Sequence, residues 1–116
     1  MTTGRLALVA ERQNFYNAGI AAVLQREVGF AKVVRVHDYA AMKDILSFNP
    51  AIDFIALDFD LPGSSGLATI SEVRASQPLV RMAVFSERAE LRDVLAILAA
   101  GAHGFIPRQT TSCAEL

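Results

Sequence analysis

Two acids flank a phenylalanine in the stretch IALDFDLPGSSG, residues 55–66, where an apolar run breaks into Leu61-Pro62-Gly63. Asp58 stands at the tip of that run and Asp60 lies two residues on. Glu11 closes an earlier apolar run, Ser86 ends a later one, and Arg108 follows the last. Carboxylates, a hydroxyl and a guanidinium form a set able to gather charge around a ligand or a reacting oxygen. A simpler role is open to Asp58, because aspartate commonly caps the turn where a strand gives way to Pro and Gly. The choice depends on whether the elements that carry these residues converge.

Five short apolar runs recur along the chain: RLALVA (5–10), KVVRV (32–36), IDFIALD (52–58), VRMAVFS (80–86) and GFI (104–106). The intervals between them carry helical spacing. Tyr16, Ile20, Val23, Leu24 and Val28 make a stripe in the first; Met42, Ile45 and Leu46 in the second. Leu67, Ile70 and Val73 do so in the third, and Leu91, Val94, Leu95 and Leu98 in the fourth. Asp38 is placed to N-cap the second helix and Gly101 to terminate the fourth, while Asn49-Pro50 and Gln77-Pro78 end the second and third. Runs such as FIAL have no polar face, so these strands are expected to be buried on both sides in a parallel sheet. The pattern predicts a doubly wound α/β fold with five parallel strands in the flavodoxin-like order 2-1-3-4-5. Such a sheet binds ligands in the crevice outside the carboxyl ends of its strands. Glu11, Asp58, Asp60, Ser86 and Arg108 all fall there, which favours a site over a turn cap alone.

At 116 residues, 53% of them hydrophobic, the chain suits one compact domain, 1–116. The first apolar run is closed at once by Glu11 and Arg12, so neither a signal peptide nor a membrane span is drawn, and a cytoplasmic location with no membrane partner is expected. Cys113 is the single cysteine, without partner or metal-type spacing. A net charge of -1 with scattered basic residues offers no footprint for nucleic acid, so no direct nucleic-acid contact by this chain is expected. The segment after the first strand, AERQN, lacks the glycines of a phosphate-cradling loop, which argues against a flavin protein or a small-molecule enzyme. His37 and His103 stand at unrelated strand ends and read as surface residues.

From Arg5 to about Leu116 the sequence resembles the receiver domain of bacterial two-component response regulators. The likeness is carried by the acid after strand one, LDFDLPGSSGL after strand three, Ser86 after strand four and AAGAHGFIPR around strand five. It is greatest toward receivers that precede a helix-turn-helix output domain in transcription regulators. The resemblance implies that Asp58 accepts a phosphoryl group from a histidine kinase or phosphotransfer protein, with magnesium bound alongside. It implies that Glu11 and Asp58 are metal ligands together with the backbone carbonyl of Asp60, and that Ser86 and Arg108 contact the phosphoryl group. Ser86 and Phe105 would be the switch residues. The domain would not be an enzyme beyond self-phosphotransfer onto Asp58.

Where such receivers carry two acids after strand one and a Lys after strand five, this chain has Ala10-Glu11 and Arg108, and Glu87 stands where a small residue is usual. Losing one carboxylate should weaken magnesium binding or abolish it, since the ion demands a near-ideal octahedron. Arg108 is expected to reach across the crevice and grip Asp58 through two hydrogen bonds, taking over part of the metal's charge. Two functions therefore stand side by side: a phosphoaccepting receiver that controls a transcriptional output, and a phosphorylation-independent pseudo-receiver serving dimerisation or protein interaction. TTSCAEL begins as a helix with a possible capping box, Ser112 to Glu115, and then stops. A truncated fifth helix, an absent output domain and self-association, such as a homodimer, are the expectations drawn from it.

Overall fold

The computed structural model describes residues 5–48 and 51–108. Five strands form one parallel sheet: β1 (Leu6–Ala10), β2 (Lys32–Val36), β3 (Phe54–Asp58), β4 (Arg81–Ser86) and β5 (Gly104–Pro107), in the order β2-β1-β3-β4-β5. Between them run α1 (Asn14–Val23), α2 (Tyr39–Phe48), α3 (Leu67–Ser76) and α4 (Leu91–Ala100). This is the expected flavodoxin-like, doubly wound arrangement. The TTSCAEL segment and the Asn49-Pro50 stop lie outside the described residues.

Alternation along the buried strands divides the core. Leu8, Ala10, Ile55, Leu57, Met82 and Val84 face Met42 of α2, Ile70 and Val73 of α3 and Ile97 of α4. Ala7, Val9, Ala56 and Phe85 face the other way, toward Ile20 and Ala21 of α1 and toward Leu24. Leu24–Val28 continues α1 as a single π turn that ends on Gly29. As the sequence suggested, the Asp38 carboxylate accepts a hydrogen bond from Ala41 N at 2.8 Å at the start of α2.

The fourth helix differs from expectation. Leu91 and Leu95, placed on its inward stripe by the spacing, are 72% and 55% exposed, and Ile97 is the residue buried against the sheet. Arg92 and Asp93 give LRDVLAILAA one polar side, and the spacing picks the opposite stripe, yet Leu91, Leu95 and Leu98 of that stripe are the exposed residues. Close packing against α3 chooses the inner face instead. Arg74 of α3 donates from Nε and Nη2 to the Gly101 carbonyl, at 3.1 and 3.0 Å, and a Cβ on Gly101 would lie 2.8 Å from that of Arg74. With φ at 134°, position 101 needs glycine on both counts.

Candidate functional site

The sheet brings the strand ends together. Asp58 is the last residue of β3, level with Phe85 of β4, and Ser86 follows one step on. Glu11 leaves β1 directly after Ala10, which pairs with Leu57. Arg108 leaves β5 after Pro107, which pairs with Ser86, and its backbone N–H donates to the Ser86 carbonyl at 2.9 Å. Glu11, Asp58, Ser86 and Arg108 are all buried.

Asp58 performs the simple role. Its Oδ1 accepts the Asp60 N–H at 2.9 Å and its carbonyl accepts the Leu61 N–H at 3.1 Å, so it closes the turn that follows β3. Ser64 N then donates to Leu61 O at 2.9 Å around Pro62-Gly63, with Gly63 at φ 87°.

Its main cationic partner is Arg12, whose place one residue after Glu11 carries no motif that marks it. Arg12 Nη1 lies 2.8 Å from Oδ1 and 3.0 Å from Oδ2 of Asp58, and the Arg12 backbone N–H donates to Oδ2 at 3.2 Å. The same guanidinium lies 3.9 Å from an Asp60 oxygen through Nη1 and 3.8 Å from a Glu87 oxygen through Nη2. Those two outer acids are well exposed and add little energy.

Arg108 therefore does not make the expected grip on Asp58. Its Nη1 donates to Glu11 Oε1, its Nη2 to Gln13 Oε1 at 2.8 Å, and its closest approach to Asp58 is 3.9 Å. The guanidinium carbon stands 4.4 Å from the centre of the Tyr16 ring. Asp58 on β3 is the nearer acid in the sheet order, but the Tyr16 ring of α1 and the Gln13 side chain just before that helix draw the guanidinium past it to Glu11. Burial alone would depress the Arg108 pKa; the hydrogen bond and charge of Glu11, aided by Asp58 and Tyr16, outweigh it and raise the value. The guanidinium is permanently charged.

Asn17 positions the loop that carries Glu11 and Arg12. It is fully buried, donates from Nδ2 to Glu11 O at 3.1 Å and Val36 O at 2.9 Å, and accepts from Arg35 Nε at 2.6 Å. A polar residue beside the apolar stripe of the first helix was the available signal. Ser86 Oγ accepts the Arg88 N–H at 3.0 Å. Phe105 packs, partly buried, against the core on the α2–α4 side. His37 and His103 are exposed.

The site does not fit a divalent cation as it stands. Among the described residues no group of three or more His, Cys, Asp or Glu is arranged to hold a metal. Both oxygens of Asp58 are turned to Arg12 and to backbone N–H groups. Glu11 Oε1 is held by Arg108 and Oε2 accepts the Gln13 N–H at 2.8 Å.

The sequence matches the response regulator receiver domain over residues 7–113. The chain belongs to this family. As a receiver it is 34% identical over 95 residues to the transcriptional activator protein ExaE of Pseudomonas putida, covering 82% of this chain and 40% of that protein. It is 26% identical over 101 residues to the Fimbriae Z protein of Escherichia coli K12, covering 87% of this chain and 48% of that one. The chain thus spans less than half the length of these curated relatives. Among solved structures, a response regulator from Burkholderia pseudomallei, with a phosphorylated aspartic acid, a calcium ion and citrate, superposes with a TM-score of 0.72 at 24% identity, covering 90% of this receiver and 59% of that chain. That likeness is one of fold. No helix among the described residues is long and apolar enough to cross a membrane.

Proposed function

We propose that this receiver domain takes a signalling input at Asp58 and controls a transcriptional output, with a histidine kinase or phosphotransfer protein as its partner. The reading rests on one observation above all: Asp58 is buried at the carboxyl edge of the central strand with two guanidiniums within 4 Å of its oxygens. In the transfer, an Asp58 oxygen attacks phosphorus in line, the new O–P bond forms as the donor's bond to phosphorus breaks, and the leaving group keeps that electron pair. The acyl phosphate carries about one more negative charge than the carboxylate it replaces, and Arg12 and Arg108 are the side chains placed to balance it. Ser86, held at the neighbouring strand end, and Phe105 are the proposed switch residues. Magnesium is bound weakly or not at all. The ExaE relative, a transcriptional activator, supports a transcriptional output.

A second reading is favoured by the grip of Arg12 on Asp58: a phosphorylation-independent module, resting in one form and acting through dimerisation or partner docking. Intact-mass measurement after incubation with a small phosphodonor, with and without magnesium, separates the two. Addition of one phosphoryl mass, abolished by Asp58→Asn, establishes the first reading; an unchanged mass under both conditions establishes the second. Addition that survives Asp58→Asn would move the acceptor to another residue such as Asp60.

A further inference from the structure

We propose that the Arg12 guanidinium is the resident cation of this centre, holding Asp58 in the place a divalent ion would need and making the site independent of metal. The inference deepens the receiver reading and rests on it. Four features of the geometry carry it. First, one nitrogen, Nη1, lies within hydrogen-bond distance of both Asp58 oxygens, and the backbone N–H of the same residue adds a further bond, so that Arg12 and Asp60 N together cover the carboxylate. Second, the guanidinium is set among three acids, with Asp60 and Glu87 on its outer sides, and its side chain is only a quarter exposed. Third, the position before Glu11 is Ala10, which has no ligand to offer, and Glu11 spends both oxygens on Arg108 and Gln13. Fourth, Asn17 ties the Glu11 carbonyl to α1, which places the Arg12 backbone beside β3.

Charge and coordination point the same way. The two buried carboxylates, Glu11 and Asp58, each already face a guanidinium. Magnesium must approach its oxygens to about 2.0–2.1 Å with near-octahedral geometry, and every Asp58 oxygen is already turned toward an N–H. A divalent ion would also meet the repulsion of Arg12 itself, so metal and guanidinium compete for one carboxylate.

The test is calorimetric titration with magnesium chloride, repeated with manganese chloride, on the native chain, on Arg12→Ala, and on Arg12→Ala combined with Asp58→Asn. The native chain is expected to bind either ion only at millimolar concentration or above, Arg12→Ala to bind about tenfold more tightly or better, and the added Asp58→Asn to remove that gain. Circular dichroism checks that each variant folds. Arg12→Lys, which keeps the charge but not the planar fork, provides a second route if Arg12→Ala does not fold, with a smaller gain expected. Equal affinity in the native chain and the folded Arg12 variants, or a gain that persists without Asp58, overturns the proposal. The mass measurement is independent of this one. Tight metal binding by the native chain together with phosphoryl uptake would sink the resident-cation proposal and leave the phosphoacceptor reading standing. No uptake, with a metal gain in Arg12→Ala, would do the reverse.

Discussion

Removing Glu11 should expose how strongly the site is built into the fold. Glu11 and Arg108 are 1% and 6% exposed, and they are joined by a direct hydrogen-bonded ion pair. Truncating one partner of such a pair costs about 3–5 kcal/mol, because the other charge stays buried without its counterion. Two features reduce this for Arg108: Gln13 Oε1 remains as an acceptor at 2.8 Å, and Asp58 lies 3.9 Å away. Glu11→Ala is therefore expected near the lower end, about 3 kcal/mol. Glu11→Gln keeps one acceptor but not the charge and should cost about 2 kcal/mol, within the range for hydrogen bonds to charged groups. Against a total stability of about 5–15 kcal/mol, either loss is large. Arg108→Met strands Glu11 in turn, and the Glu11→Gln, Arg108→Met double variant should cost about 1–3 kcal/mol less than the sum of the singles. Urea unfolding followed by circular dichroism reads these values from the shift in midpoint at constant slope. A cost below about 0.5 kcal/mol for Glu11→Ala, as for an ordinary surface change, or strict additivity in the double variant, would refute the reasoning.

Asn17→Leu removes the bonds to the Glu11 and Val36 carbonyls and the acceptor for Arg35, and should cost about 2–3 kcal/mol by the same unfolding assay; since it frees the loop carrying Arg12, magnesium titration of this variant should show a gain in the same direction as Arg12→Ala. The Tyr39 hydroxyl donates to Glu72, and that hydrogen bond, followed by burial and the Glu72 charge, raises its pKa above the ordinary 10.0. A raised folded-state value means that the contribution to stability is complete below about pH 10 and is lost as pH rises through the folded pKa. Phenolate absorbance during an alkaline titration should therefore show one tyrosine ionising late, and Tyr39→Phe should remove that step.

Much of the architecture could be read from the sequence because its signals are local. Short apolar runs with no polar face, bounded by turn signals, read as central parallel strands, and the cap at Asp38 depends on residues next to it. Once those strands lie in the order β2-β1-β3-β4-β5, the residues that follow them share one edge, so the convergence of Glu11, Asp58, Ser86 and Arg108 was already implicit. The pairing inside that cluster was not. Arginine spans several ångströms on a flexible stem, and which carboxylate it meets depends on loop path and neighbouring rings. Tyr16 and Gln13 draw Arg108 to Glu11, while the turn after β1 brings both the backbone and the side chain of Arg12 onto Asp58. The inner face of α4 was decided in the same way. Its spacing marks the stripe of Leu91, Leu95 and Leu98, but the packing of Arg74 against Gly101 turns the helix so that Ile97 meets the sheet instead.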